Sequence, residues 1–249
     1  MTRWKASAIH LAISLAIGLI VGALLLLVWY PPPYFHAAGA DTLVVLMVSV
    51  DLVLGPLLTL IVFKSGKRGL KFDLALIGLL QAAALTYGLS VVLRSRPVFI
   101  AMSVDRLVLV AASDIDPKDL AQGTKPEFRS LSMTGPLLVG TQMPTTWQER
   151  NNVLFAGTAG KDIEQFPKYY VDYDVAAPAL LKKAKPLDAL KPANPQEQAN
   201  LDAAIAKSGH AADSIVWVPL VARKASLVML LDRESGAVLR PASVNPWNH

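Results

Sequence analysis

The sequence contains no cysteine, and its four histidines (His10, His36, His210 and His249) are scattered. The first absence excludes disulfides, thiol nucleophiles and cysteine-ligated metals. None of the histidines stands at ligand spacing from a second histidine or a carboxylate, so no metal centre is expected. No G-x-S-x-G, P-loop or dinucleotide fingerprint occurs. Paired acids such as Asp114/Asp116 and Asp172/Asp174 lie in strand-like or turn-like stretches, where solvated surface is the ordinary reading. These deficits point to no cofactor and no enzyme. Repeats and low-complexity tracts are missing too.

Acids are scarce in one region only. Residues 1–96 hold Asp41, Asp51 and Asp73 against eight basic residues: Arg3, Lys5, Lys64, Lys67, Arg68, Lys71, Arg94 and Arg96. Residues 97–249 carry sixteen side chains of each sign, so the formal net charge of +5 belongs to the first 96 residues. A neutral C-terminal part has no field that attracts phosphate, which argues against nucleic acid as a partner.

Long apolar runs are missing beyond Pro97, whereas three precede it. With 53% hydrophobic residues and a mean hydropathy of +0.41, the chain reads as a membrane segment plus one modest domain. The windows Ala6–Tyr30, Leu43–Phe63 and Phe72–Leu93 each reach the roughly 20 apolar residues needed to cross a bilayer. Basic residues precede the first span and fill the loop between the second and third, and the Tyr34–Thr42 loop has none. The positive-inside rule then makes the N-terminus cytoplasmic and delivers the C-terminal part to the far side, the periplasm of a bacterium. Ala38-Gly39-Ala40 resembles a signal-peptide cleavage site. The first apolar run, however, exceeds an h-region of roughly 7–15 residues and ends in Trp29-Tyr30 and three prolines, which favours an interfacial belt and a helix stop.

The expected fold class is therefore a membrane protein with three transmembrane helices (1–96) followed by one α+β periplasmic domain (97–249) with an antiparallel sheet. Val98–Val104 and Leu107–Ala112 read as a hairpin about Asp105-Arg106. Asp116-Pro117 reads as a helix start and Trp147–Phe155 as a further helix. Lys182–Pro195 reads as a connecting segment. Asn194-Pro195-Gln196-Glu197 combines an N-cap, a first-turn proline and an acid at the third position, for a helix ending at Ser208-Gly209. Ile215–Val221, Leu227–Leu231 and Ala237–Arg240 complete a meander that turns at Glu234-Ser235-Gly236.

The polar groups inside the spans are the candidate site. A central aspartate costs about 2.5–3.5 kcal/mol on translocon scales, so Asp51 should face protein or water. It shares a face with Gly55 and Thr59, and Pro56, lacking an N–H, frees the carbonyl of Leu52 on α-helical spacing. Gly78, Gln81, Ala84 and Gly88 gather on one side of the third span. At about 1.5 Å per residue, Asp51 lies about 12 Å into its span and Gln81 about 13 Å into its own, so both reach the midplane. His10, Ser14, Gly18 and Gly22 form a ridge on the first span, and the glycines permit close backbone approach. Three readings stay open for these groups: hydrogen bonding within the bundle (Asp51 to Gln81), contact with a partner's helix, or a proton or ion relay.

The stretches RWKASAIHLAISL (Arg3–Leu15), VWYPPPYFHAAG (Val28–Gly39) and DLVLGPLLTLIVFKSGKRGLKFDLALIGLLQAAALTYG (Asp51–Gly88) resemble the type IV pilin accessory proteins of the TfpX/TfpZ family. A looser likeness continues at QFPKYYVDY, Gln165–Tyr173. The resemblance implies an inner-membrane assembly factor or chaperone with a type IV pilin as partner and membrane lipid around its helices. The polar face at Asp51, Gly55 and Thr59 would then be a docking strip. The competing reading is a sensory or regulatory membrane protein with a periplasmic binding domain, against which the short tail and single loop on the cytoplasmic side leave little room for an output module.

The charge distribution generates a topology test. A reporter active only in the periplasm is expected to work when fused after His249 and to stay silent when fused at Gly66. The reverse pattern would rule out the three-span arrangement.

Overall fold

The computed structural model describes residues 1–248; His249 lies outside the described residues. Three helices are long and apolar enough to cross a membrane: Arg3–Trp29, Ala40–Val62 and Leu70–Ser95. Thr2 caps the first, its hydroxyl accepting the Lys5 N–H at 3.3 Å, and Pro31-Pro32-Pro33 follow its last, π-helical turn at Leu25–Trp29. Gly39 and Gly69, at φ +80° and +86°, make the left-handed turns from which the second and third spans start. Exposed leucines, isoleucines and phenylalanine, among them Ile20, Ile61, Phe72 and Leu79, cover the outside of the bundle, the surface that hydrocarbon solvates.

The third span runs into the sheet with no linker. Pro97 forces Arg96 out of the α region, to ψ 142°, and is itself the first residue of β1 (Pro97–Ser103). The other strands are β2 (Arg106–Ala111), β3 (Leu137–Thr141), β4 (Tyr170–Val171), β5 (Lys185–Pro186), β6 (Ile215–Val221), β7 (Leu227–Asp232) and β8 (Val238–Ala242). They form one sheet in the order β4-β3-β1-β2-β6-β7-β8, with β5 also paired to β6. The sheet is mostly antiparallel, as expected, but β1/β3 and β2/β6 pair parallel, and the second of these joins the N-terminal hairpin to the C-terminal meander.

Most local expectations hold. Asn194 accepts the Glu197 N–H at 2.9 Å and Gly209 closes the Pro195–Ser208 helix at φ +73°. Asp116 caps a single turn, and Trp147 opens a helix that continues to Thr158. The hairpin turn sits one residue earlier than expected: Ser103 pairs with Arg106, so Val104 and Asp105 make the turn, with Val104 at φ +50°. The Tyr173–Leu181 helix was not anticipated, because Pro178 interrupts its pattern. It lies so close to β3 that a Cβ on Gly140 would come within 2.5 Å of the Ala176 Cβ. The supposed connector contains β5 and a short turn at Leu187–Ala189.

One face of the sheet buries Ile100, Met102, Leu107, Val218, Leu220 and Met229 under the Tyr173–Leu181 helix, and Ala37 from the loop between the first two spans belongs to that same core. The Ala37 carbonyl accepts N–H groups from Lys224 at 2.9 Å and Ala225 at 3.3 Å. Lys224 also reaches Asp41 at 2.7 Å. Tyr30 donates to the Val92 carbonyl at 2.6 Å, tying the end of the first span to the third. At the junction Arg96 is 6% exposed, and its guanidinium donates to the carbonyls of Leu93 (2.7 Å), Ser132 (2.9 Å) and Leu131 (3.3 Å).

Replacing Arg96 by leucine leaves the Leu131 and Ser132 carbonyls without their donor, and is expected to destabilise the protein by on the order of 2 kcal/mol. Arg96→Lys should recover only part of this, because an ammonium lacks the planar fork. Thermal unfolding in detergent measures both.

Candidate functional site

A hydrogen-bonded chain crosses all three spans. His10 on the first span touches the Thr59 hydroxyl through Nδ1 and the Gln81 Oε1 through Nε2, each at 2.6 Å. The Gln81 amide nitrogen donates to the main-chain carbonyl of Asp51 at 3.3 Å. That last contact fixes the rest: with its NH2 on a carbonyl, Gln81 turns its oxygen to His10, so His10 Nε2 carries the proton and Nδ1 accepts from Thr59. Ser7 adds a bond to the Pro56 carbonyl at 2.9 Å. Thr59 is buried, and Gly55 exists because Gln81 occupies its side-chain space: a Cβ there would stand 2.0 Å from Gln81 Nε2. His10 and Ser7 are thus structural partners that sequence spacing alone did not pair with the other two spans.

The backbone explains which carbonyl needs help. Val50–Leu54 is π-helical, and in an i→i+5 register the carbonyl that residue 56 would serve is that of Asp51. Residue 56 is proline, so this acceptor is orphaned and Gln81 supplies the donor. The expectation from α-helical spacing named Leu52; the bulge moves the partnered carbonyl back by one residue. Gln81 meets the backbone of Asp51 at 3.3 Å and lies beside its carboxyl, whose Oδ1 is buried without a hydrogen-bond partner.

Around that carboxyl the bundle is open. Toward the sheet domain, a groove of about 370 Å³ lies between the second and third spans, lined by Leu43, Met47, Val50 and Asp51 on one side and Ala84 and Gly88 on the other. Tyr87, 73% exposed, stands at its rim. Asp51 also borders a narrower gap with Ser14, Gly18 and Gly22 of the first span. No atom from the other spans lies within 4 Å of where a Cβ on Gly18 or Gly22 would be, so no other helix of this chain packs closely on them. The strip Asp51–Gly55–Thr59 is therefore divided: Gly55 and Thr59 are consumed inside the bundle, and Asp51, half-buried with its Oδ1 enclosed, borders both openings.

A second exposed surface lies at the end of the sheet away from the spans. Val104, Met143 and Leu154 border a depression of about 600 Å³, and Val104, Met143 and Val175 border another of about 380 Å³. The Trp147–Thr158 helix turns Trp147 (78% exposed), Leu154 and Phe155 (72%) outward beside them. Sequence periodicity did not reveal this patch, because its residues come from a hairpin tip, a loop and two helices.

The geometry predicts that Gln81→Ala, which removes two interhelical bonds at once, lowers bundle stability by about 1–2 kcal/mol. Gly55→Ala should cost a similar amount by displacing the same amide. The two changes together should cost much less than their sum, because each destroys the same contact. Asp51→Asn should leave the thermal midpoint unchanged. Unfolding of the four variants in detergent tests this.

Residues 1–39 match the model of the family Fimbrial assembly protein FimB. The fimbrial assembly proteins of Dichelobacter nodosus serogroups I and E1 are each 31% identical over 234 residues, 92% of this chain and 90% of theirs. That of serogroups C1 and C2 is 35% identical over 121 residues, 47% of this chain and 92% of its own. No solved structure matches significantly. The likeness runs through the sheet domain, well beyond the stretches quoted for residues 3–88, and the expectation of a type IV pilus assembly accessory protein is borne out. The chain belongs to the family of fimbrial assembly proteins.

Proposed function

We propose that this protein is an inner-membrane accessory factor that binds a type IV pilin and assists its assembly into pili, acting as a holder of the subunit and not as a catalyst. The N-terminus is cytoplasmic and the sheet domain periplasmic, a reading supported by the basic residues at 3, 5, 64, 67, 68 and 71. In this reading residues 1–96 form the membrane domain and 97–249 the periplasmic one. The observation that carries the proposal is the junction between them. With Arg96 buried, β1 continuous with the third span and Ala37 inside the sheet's core, the membrane face and the periplasmic face are held at fixed spacing. Such a rigid pair of surfaces suits a client that has a membrane helix and a folded head at once.

The periplasmic contact is the apolar patch of Val104, Met143, Trp147, Leu154, Phe155 and Val175. Large exposed apolar side chains gathered on one face mark interaction surfaces, and aromatic residues dominate the energetics of such contacts. Because the domain is neutral overall and the patch apolar, binding should depend only weakly on salt.

Deleting the gene is expected to reduce surface pili with pilin transcription unchanged. The double change Trp147→Ser and Phe155→Ser should leave unfolding within about 0.5 kcal/mol of the parent, since both side chains are solvated, while reducing the pilin retained in pull-down. Full piliation in a deletion strain with no second gene copy would overturn the proposal.

A further inference from the structure

The groove beside Asp51 has a definable occupant. We infer that it seats the membrane helix of the pilin, with the Asp51 carboxyl accepting a hydrogen bond from a donor on that helix; this rests on the proposed function for the identity of the client and adds the place of contact.

Depth limits the choice. Asp51 lies about 12 Å into the hydrocarbon, where only helices and lipid tails can lie against a span. A lipid tail has no donor, and it would leave the carboxyl desolvated and unpaired, a costly state in hydrocarbon. A helix with a donor relieves it. The neighbouring polar groups of the second and third spans are already engaged, Thr59 and Gln81 inside the bundle and Ser49 and Thr86 on carbonyls of their own helices, and they leave Asp51 Oδ1 without a partner.

The groove is also shaped for a helix. Ala84 and Gly88 lower one wall so that a backbone can approach, and Met47, whose sulfur sits 3.0 Å from where a Gly88 Cβ would be, is the flexible side chain that fits itself to an irregular neighbour. Its open length runs from Asp51 up to Leu43 and Val91, close to the ends of the spans that meet the sheet domain. A helix leaving the groove therefore emerges beside that domain, where a folded head attached to it would lie.

The test is photo-crosslinking in cells from Leu46 and Tyr87, on the groove, and from Ala82, exposed on the opposite side of the third span. Pilin should be captured from the first two positions, through its membrane helix, and not from Ala82. Asp51→Leu should lower capture by about threefold, the change expected on losing one membrane hydrogen bond, with Asp51→Asn falling less. Ala84→Phe, which fills the groove with a large side chain, should also abolish capture at normal protein abundance. Capture of lipid alone, capture of a second copy, or equal pilin capture from Ala82 would overturn the inference. If pull-down through the periplasmic patch and the piliation defect persisted in that case, the failure would lie in the groove and not in the proposed function.

Discussion

One side-chain amide links all three spans of the membrane half of this protein. Gln81 gives its nitrogen to a carbonyl on the second span and its oxygen to His10 on the first, so a single residue of the third span fixes both neighbours. Its position depends on two backbone features that would be faults elsewhere, a proline that leaves the Asp51 carbonyl unserved and a glycine that leaves room for the amide. In hydrocarbon water cannot relieve either fault, and so the three become one device.

Much of this was legible in sequence, and the limits have physical causes. Three spans follow from length and hydropathy, the Asn194 cap and Gly209 stop from local hydrogen-bonding chemistry, and the hairpin and meander from alternation. The polar candidates Asp51, Gly55, Pro56, Thr59 and Gln81 stood out because hydrocarbon makes such groups expensive. Their wiring did not. Spacing rules assume an α-helix, and the bulge at Val50–Leu54 shifts the partnered carbonyl from Leu52 to Asp51. Gly18 and Gly22 suggested close packing, whereas the structure leaves them against open space. His10 was visible on its ridge, but only tertiary contact shows that its ring joins the other two spans.

The sheet hid different things. Parallel pairing of β2 with β6 joins residues more than a hundred positions apart, and no local pattern encodes it. The Tyr173–Leu181 helix carries a proline where a helix should lose a hydrogen bond, and packing against Gly140 sustains it. The apolar patch is assembled from segments that read individually as ordinary surface.

Ala37 has a further consequence for how the protein is made. Its carbonyl receives the backbone of Lys224 and Ala225, and its side chain completes a core whose strands and Tyr173–Leu181 helix are translated later. The loop between the first two spans must therefore lie on the same side of the membrane as the β6–β7 turn before that turn finds its resting place. Maturation of the sheet is coupled to insertion of the helices, and residues 97–249 expressed alone would fold around a missing piece. Synthesis order and membrane topology act here as a checkpoint: a chain whose first loop lies across the membrane from residues 97–249 has no complete sheet core.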